Sequence, residues 1–402
     1  MADNLTAPSI CQSVPGTLIP YFCYINRLTK GNNNDGGTLM KYRKLGNSGL
    51  IVSEVGLGTM QFGEAMQMGG LDQQATNEMV DFALDHGINY IDTADVYSLG
   101  ESEELLGNAL KGKREDIVLS TKCRLPMDDN INHSGATRVN IMREVEASLK
   151  RLQTDYIDLY QMHSWDPYTP LEETLRTLND LVKQGKVRYI GLSNYMAWQA
   201  ATALGMQEQK GLEKYITAQM YYSLVGRGLE NDFMSFADYH DMGIIVWSPL
   251  AGGFLTGKYD RDNPPPENSR FAEAGQFVPF DIDKGFEIVE TLKKVGDRNG
   301  VSPARVALAW TLSRDNISSV LIAARKLEHL EDNIKAVDLE LTKEDIELLD
   351  EVSDPGIPYP RWMVWQQAFA EDPRAKTLEP EKFKDGGPWE DLRFKKMPLE
   401  GK

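Results

Sequence analysis

Apolar and polar positions follow two alternating patterns along most of this chain. From Met40 onward, short runs of apolar and β-branched residues are separated by longer stretches in which apolar residues recur every three or four positions. The first pattern is typical of buried parallel strands and the second of amphipathic helices. Their alternation predicts repeated βα units and therefore a parallel sheet.

The number of units predicts the fold. After a hairpin predicted from YRKLGNSGLIVS, with its turn at Asn47, Ser48 and Gly49, the predicted strands are 55–59, 88–93, 116–121, 156–161, 187–193, 216–220, 243–248 and 318–323. Helices are predicted between and after them at 76–85, 102–110, 139–152, 170–184, 196–204, 230–241, 284–300 and 327–337. Such a succession over about 300 residues predicts an α/β fold, a (β/α)8 TIM barrel.

The chain divides into three segments around this barrel. We interpret residues 1–39 as a disordered N-terminal extension, 40–354 as the barrel, and 355–402 as a polar, proline-containing tail. Aromatic residues predict that the first part of the tail packs on the barrel, and these are Tyr359, Trp362 and Trp365. The stretch 250–283 is too long for an ordinary βα loop, so we expect it to clamp a ligand. Two further helices are predicted at 302–313 and 342–352.

Charge and cysteine content exclude several functions. The formal net charge of −17 repels phosphate backbones and anionic membrane surfaces, and the sequence has no basic patch to offset it. We therefore expect neither a nucleic-acid nor a membrane partner. Cys11, Cys23 and Cys123 lack CxxC spacing, which predicts a reducing compartment, the cytosol. The five histidines lack ligand-like spacing, so no metal is expected.

Polar residues follow the predicted strands, where a TIM barrel builds its active site. They are Asp92, Tyr97, Lys122, His163, Ser193, Asn194, Gln219, Trp247, Ser248 and Arg325. A lone lysine at a strand end is usually a solvated charge, and a lone histidine is more often structural. An acid, a phenol, an amine and an imidazole on the ends of three neighbouring strands form one crevice, however, and a purely structural role for all four is improbable.

The first four of these side chains suit carbonyl reduction. Hydride addition to a carbonyl carbon leaves charge on oxygen, which needs a proton donor. Tyr97 is the expected donor, and Lys122 is expected to lower its pKa from the ordinary value of about 10. Asp92 would hold Lys122 charged by an ion pair. The neutral ring of His163 would orient the carbonyl and stabilise the developing oxyanion.

Several long blocks of this sequence resemble those of a known protein family. Along nearly all of residues 40–370 the chain resembles the aldo-keto reductases, including GLGTMQFG, GINYIDTADVYSLGESEELLGNAL, STK, LYQMHSWDPYTPLEETL, GKVRYIGLSN and WSPLAGGFLTGKY. The family has a catalytic Asp-Tyr-Lys-His tetrad, and the resemblance implies that its members here are Asp92, Tyr97, Lys122 and His163.

The resemblance also implies NADPH bound without a Rossmann fold. Ser193, Asn194 and Gln219 would hold the nicotinamide amide, and Trp247 would stack on its ring. The implied contacts elsewhere are Gly58, Thr59 and Met60 lining the site; Ser248, Leu250, Gly252 and Lys258 at the pyrophosphate; and Arg325, Lys326, Asp332 and Asn333 at the adenosine end. The chain departs from the family at Ala323 and Ala324, where a Pro-Gly pair is usual, and at His329, where Gln or Arg is common.

Other nucleotide-binding motifs are absent or incomplete. GGFLTGK at 252–258 has phosphate-loop spacing, but Tyr259 replaces the required Ser or Thr and prolines follow where a helix should. The sequence has no GxGxxG that follows a strand and opens a helix. A different class stays open, the cofactor-binding regulatory subunits similar to potassium-channel β subunits. The presence of His163 favours an enzyme. Trp165, Met60 and Phe62 predict a pocket for an apolar or aromatic carbonyl compound.

Overall fold

The structure, a computed structural model, describes residues 39–64, 70–259, 261, 263, 278–356, 358–365 and 374. The predicted extension, apart from Leu39, and the three consecutive prolines of the long loop lie outside these residues, as does most of the tail. Of the tail aromatics, Tyr359 and Trp362 lie within 6.2 Å of each other, ring centroid to ring centroid.

The predicted barrel is confirmed. The barrel strands are β3 (Val55–Gly58), β4 (Tyr90–Asp92), β5 (Val118–Cys123), β6 (Ile157–Met162), β7 (Val187–Ser193), β8 (Tyr215–Tyr221), β9 (Gly243–Trp247) and β10 (Ile317–Ile322). These eight parallel strands close in the order β10-β3-β4-β5-β6-β7-β8-β9. The predicted hairpin is also present, as β1 (Tyr42–Lys44) paired antiparallel with β2 (Ile51–Ser53).

Helices surround the barrel, and we number those of the described residues in chain order. They are α1 (Gln73–Asp85), α2 (Glu101–Ala109), α3 (Arg138–Leu152), α4 (Leu171–Lys183), α5 (Ala197–Lys210), α6 (Phe233–Tyr239), α7 (Ile282–Asn299), α8 (Pro303–Leu312), α9 (Leu327–Ile334), α10 (Lys343–Val352) and α11 (Arg361–Trp365). Ser302 caps α8 as predicted, accepting a hydrogen bond from the backbone N–H of Arg305 at 3.2 Å.

Two helices differ most from the sequence-based bounds. α5 continues to Lys210, beyond the predicted end at Leu204, because the side chain of Gln207 is buried and accepts a hydrogen bond from the backbone of Tyr215. The helix then stops at Gly211, whose left-handed backbone ends it. α6 is shorter than predicted, since residues 228–231 form a separate 3-10 turn.

The hairpin closes one end of the barrel and leaves the other end for the site. Leu45 and Val52 pack in a small apolar cluster with side chains from six barrel strands, namely Tyr90, Val118, Leu159, Ile216, Ile245 and Leu321. At the turn, Gly46 lies against the backbone of Ile216 and Gly243, near the first residues of β8 and β9, so closely that a Cβ would overlap them. The polar strand-end residues therefore gather at the opposite, carboxyl end.

Candidate active site

A buried ion pair joins the carboxyl ends of two neighbouring strands. Asp92 is the last residue of β4 and Lys122 lies near the end of β5, with Asp92 in register with Ser120. The Nζ atom of Lys122 lies 2.5 Å from Oδ2 of Asp92, and the two side chains are 0% and 2% exposed. Such an ion pair needs further hydrogen bonds to offset the loss of hydration.

The carboxylate of Asp92 obtains those hydrogen bonds from four polar side chains. Its Oδ1 accepts from Ser120 Oγ at 2.9 Å, from Gln219 Nε2 at 2.8 Å, from Gln161 Nε2 at 3.3 Å and from Tyr90 Oη at 3.3 Å. Sequence reasoning missed Ser120 and Gln161. The sequence nevertheless indicates both positions. Ser120 lies two residues before Lys122 and Gln161 two residues before His163, and side chains two residues apart face the same side of a strand.

The phenol of Tyr97 lies against the buried ammonium. Tyr97 begins a 3-10 turn, Tyr97–Gly100, between β4 and α2. Nζ of Lys122 lies 3.4 Å from Oη of Tyr97 and donates to the backbone carbonyl of Thr93 at 2.7 Å. The ammonium therefore has one acceptor for each of its three hydrogens, namely the Asp92 carboxylate, the Thr93 carbonyl and the Tyr97 hydroxyl oxygen.

The pKa values of Lys122 and Tyr97 are both raised. Burial alone would lower the pKa of Lys122, but Asp92 and Tyr97 raise it above its ordinary value, so the amine stays charged. Burial raises the pKa of Tyr97 above its ordinary value of 10.0, Lys122 lowers it, and Asp92 raises it further. Lys122 lowers the pKa of Tyr97 as expected, but the expected net fall is wrong, because the cost of burying a phenolate exceeds the attraction of the ammonium.

His163 completes the group at the end of β6. Its backbone N–H donates to the carbonyl of Cys123 at 2.9 Å, and its ring stands edge-on to that of Tyr97 with the centroids 5.8 Å apart. The Nδ1 atom is buried and makes no hydrogen bond to the described residues. Burial, with the charges of Lys122 and Arg124, lowers the pKa of His163 to about 3, so the ring is neutral at physiological pH.

A second hydrogen-bonded group lies across the carboxyl ends of β7 to β9. Trp247 Nε1 donates to Asn194 Oδ1 at 3.2 Å, and Asn194 Nδ2 donates to Ser193 Oγ at 3.0 Å. Asn194 Nδ2 also donates to the backbone carbonyl of His163 at 3.1 Å, which joins this group to the first. The Tyr221 ring packs 5.1 Å from that of Trp247.

Residues at the end of β3 border the same crevice. Gly58 is in register with Asp92, and the backbone N–H of Thr59 donates to the Asp92 carbonyl at 3.0 Å. The hydroxyl of Thr59 is buried and lies 3.0 Å from the hydroxyl of Ser102. It therefore supports the loop and does not face solvent. Met60 is half-buried, whereas Phe62 is buried in the apolar core and is not exposed to a pocket.

The segment after β9 has a left-handed backbone at several positions. They are Ser248, Ala251, Gly252, Gly253 and Gly257. Ser248 Oγ accepts from the backbone N–H of Gly252 at 3.3 Å, and a Cβ at Gly252 would meet nothing within 4 Å. Lys258 Nζ lies 3.6 Å from where a Cβ of Gly253 would be. Leu250 is half-buried beside this turn.

Known proteins match this chain along its barrel. The model of the Aldo/keto reductase family matches residues 54–354. This chain belongs to that family. Versiconal hemiacetal acetate reductase of Aspergillus parasiticus is 33% identical over 342 residues, covering 80% of this chain and 99% of the relative. An uncharacterised oxidoreductase of Bacillus subtilis, YrpG, is 36% identical over 338 residues, covering 81% of this chain and all of the relative.

A relative of another kind is similar to this chain at a comparable identity. A probable voltage-gated potassium channel subunit beta of Arabidopsis thaliana is 36% identical over 308 residues, covering 75% of this chain and 92% of the relative. Membership of the aldo/keto reductase family therefore indicates an oxidoreductase. The relatives that match this chain include both enzymes and a channel subunit beta. Among the described residues, no helix has the length and apolar composition needed to cross a membrane.

The remaining predicted residues of this aldo/keto reductase lie after β10. Arg325 and Lys326 are exposed just before α9, and Lys326 Nζ lies 3.2 Å from Glu328. Asp332 accepts from Arg305 Nε at 2.7 Å and from Ser302 Oγ at 2.5 Å, while Asn333 is buried. Asp332 thus joins α9 to α8 in this structure.

Proposed function

We propose that this aldo/keto reductase uses NADPH to reduce an aldehyde or ketone to the alcohol, with Tyr97 as the proton donor. The observation that carries the proposal is the 3.4 Å approach of the Lys122 ammonium to the Tyr97 hydroxyl, beside the neutral ring of His163. A charged amine, a protonated phenol and a neutral imidazole suit the transfer of one proton to a carbonyl oxygen as hydride reaches its carbon.

Each member of this group has a separate task. NADPH, when bound, supplies the hydride. Tyr97 gives its proton to the carbonyl oxygen, and its own oxygen keeps the electron pair as a phenolate. Lys122, held charged by Asp92, stabilises that phenolate until a proton from solvent restores the phenol.

His163 orients the substrate in this proposal. A neutral imidazole has one N–H and one lone pair, so its N–H can donate to the carbonyl oxygen without placing a second full charge beside Lys122. The low pKa of His163, about 3, supports this assignment because the ring would not compete with Tyr97 as an acid at neutral pH.

The residues around the crevice fit a nicotinamide cofactor. Asn194 is exposed and bonded to both Ser193 and Trp247, so an amide, a hydroxyl and an indole ring are available together. The open space at Gly252 leaves its backbone accessible, and Lys258 supplies a cation near Gly253. We propose the nicotinamide contacts at Ser193, Asn194, Gln219 and Trp247 and the pyrophosphate contacts at Ser248, Leu250, Gly252 and Lys258.

The other predicted contacts are part of the same proposal. Gly58, Thr59 and Met60 would border the reacting end of the cofactor, and Arg325, Lys326, Asp332 and Asn333 the adenosine end. Asp332 is an anion that pairs with Arg305, so it would not attract a phosphate. The cations Arg325 and Lys326 are the candidates for binding the adenosine phosphate. We propose a cytosolic location, on the cysteine content alone.

An apolar or aromatic carbonyl compound is the proposed substrate. Trp165 follows β6 and lies 5.2 Å from Tyr195 and 5.8 Å from Trp198, ring centroid to ring centroid. Trp198 and Met196 are exposed at the start of α5, which follows β7. This aromatic rim would favour a ring or an alkyl chain over a polyhydroxylated sugar.

The test is NADPH consumption by the purified full chain with sugar aldehydes, aromatic aldehydes, pyridoxal and methylglyoxal. The proposal expects steady turnover with at least one compound, fastest with the aromatic aldehydes. The second candidate, favoured by the similarity to the Arabidopsis channel subunit, is a cofactor-binding regulatory subunit. Tight NADPH binding without turnover on any compound would support that candidate and contradict a reductase.

A further inference from the structure

The backbone directly after Tyr97 adopts a conformation that its residues do not favour. Ser98 and Leu99 have φ values of 46° and 55°, and Gly100 follows with a φ of 95°. Two successive non-glycine residues in the left-handed region are strained, and such strain persists only where the surroundings fix the backbone. Leu99 is 57% exposed, so burial of its side chain does not hold the turn.

Arg151 of α3 supplies a contact that does hold it. A Cβ built on Gly100 would lie 2.8 Å from Cδ and 3.0 Å from Nε of Arg151, so the arginine side chain lies directly on the Gly100 backbone. Arg151 is 17% exposed. The turn is therefore packed between the barrel and a half-buried guanidinium.

The position of Arg151 is fixed in turn by a fully buried carboxylate. Glu103 Oε2 accepts from Arg151 Nε at 2.6 Å, and Glu103 Oε1 accepts from Thr121 Oγ1 at 2.6 Å. Thr121 immediately precedes Lys122 in β5. One carboxylate thus links the residue that packs on the Tyr97 turn to the strand that carries Lys122.

The surrounding groups make Arg151 hard to replace. Asp95 and Glu144 are also buried, and Glu144 Oε2 lies 3.8 Å from Arg151 Nη2. Burial and the carboxylates of Glu103 and Glu144 raise the pKa of Asp95 well above its ordinary range. Arg151 is the cation shared by this acidic cluster, and its loss would remove the charge that balances Glu103.

We infer that the Arg151–Glu103 pair is a positioning device for Tyr97, holding the phenol against Lys122 by clamping the left-handed turn at Gly100. This inference rests on the proposed function, since it assigns Arg151 and Glu103 to the placement of the proton donor. Neither residue contacts the reacting atoms. A displacement of the phenol by about 1 Å can reduce a catalysed rate on the order of a hundredfold.

The test compares Arg151→Met with Arg143→Met. Arg143 is a matched control, because it also lies on α3 and bonds Glu144, at 2.5 Å, whereas the side chain nearest Gly100 and the arginine bonded to Glu103 among the described residues are both Arg151. We expect Arg151→Met to lower kcat about 10- to 100-fold while the NADPH dissociation constant changes less than about twofold. Arg143→Met should leave both within about twofold of wild type, by the same reasoning. Arg151→Lys should recover part of kcat, since it restores the charge.

A purely structural role for Arg151 would give a different result. Rates are to be measured per NADPH-binding site and well below the melting temperature of each variant. A folded Arg151→Met enzyme with the kcat of Arg143→Met would overturn the inference. If Arg151→Met does not fold, Thr121→Val decides, because it removes only the hydroxyl that binds Glu103. We expect a lower kcat at unchanged NADPH affinity, and an unchanged kcat would overturn the inference.

A second readout separates this inference from the proposed function. The ring signal of 13C-labelled Tyr97, assigned with Tyr97→Phe, should shift in Arg151→Met and stay in place in Arg143→Met. If wild type reduces no carbonyl compound, the proposed function fails, and this signal still decides the positioning role. An unmoved Tyr97 signal in Arg151→Met would overturn it.

Discussion

Lys122 and Tyr97 meet at 3.4 Å inside the barrel mouth, with the other two hydrogens of the ammonium directed at Asp92 and the Thr93 carbonyl. The charge of Lys122 is thereby fixed beside the phenol oxygen. Because the amine is fully buried, its effect on that oxygen is weakly screened by water and salt. In the proposed reaction, the pair would provide a proton donor whose conjugate base is stabilised where it forms.

Replacing Lys122 with Met should damage both activity and stability. Removing one partner of a buried ion pair leaves the other charge unbalanced and costs about 3–5 kcal/mol in the free energy of unfolding. We expect the reduction rate to fall by a factor on the order of 10² or more, since the Tyr97 phenolate loses its stabilising charge. Chemical denaturation and turnover assays measure the two effects.

The double variant Asp92→Asn/Lys122→Met is the control for that prediction. It removes both charges, so it should regain part of the stability lost by Lys122→Met but none of the activity. Recovery of turnover in the double variant would contradict the role assigned to Lys122.

The rate of the chemical step should be nearly independent of pH between about pH 6 and 9. His163 has a pKa of about 3, so its ring is already neutral throughout this range. Burial raises the pKa of Tyr97 above 10.0, so the phenol keeps its proton. Single-turnover reduction at saturating NADPH checks this, and a tenfold change per pH unit inside the range would count against these assignments.

The barrel was predictable because its signals are local. Apolar strand cores such as 187–193 and helices with a local N-terminal cap such as α8 are specified by a few neighbouring residues. The grouping of Asp92, Lys122 and His163 was predictable for a related reason. Each lies at or next to the end of a strand, and the closed parallel order brings neighbouring strand ends together.

Other features depend on contacts between distant parts of the chain. The bonds from Gln161 and Gln219 to Asp92 link positions 69 and 127 residues apart, and no local pattern specifies them. The direction of the Tyr97 pKa shift was predicted wrongly, because the balance between burial and the Lys122 charge depends on three-dimensional surroundings. The pairing of Asp332 with Arg305 likewise follows from how α8 meets α9.

NADPH should be preferred over NADH, with Arg325 and Lys326 responsible for much of the preference. Both are exposed cations at the start of α9, where an anion would also meet the helix N-terminus. Each charge-assisted contact to a phosphate contributes about 1.5–3 kcal/mol. Losing both should weaken NADPH binding on the order of a hundredfold or more and leave NADH binding nearly unchanged.

Dissociation constants of both cofactors for wild type and Arg325→Ala/Lys326→Ala provide the check. Lys335→Ala is the matched control, because Lys335 is a cation just after α9 that pairs with Glu331 at 2.6 Å. Equal losses of NADPH and NADH affinity in the double variant would show that these residues do not recognise the 2′-phosphate.

We propose that Tyr97 donates the proton, and Tyr97→Phe tests that role. This change removes one hydroxyl, keeps the ring beside His163, and alters no proposed cofactor contact. Single-turnover reduction of the best aldehyde should slow by a factor of about 10² to 10⁴, with the NADPH dissociation constant within about twofold of wild type. Turnover by Tyr97→Phe at a near wild-type rate would show that Tyr97 is not the proton donor.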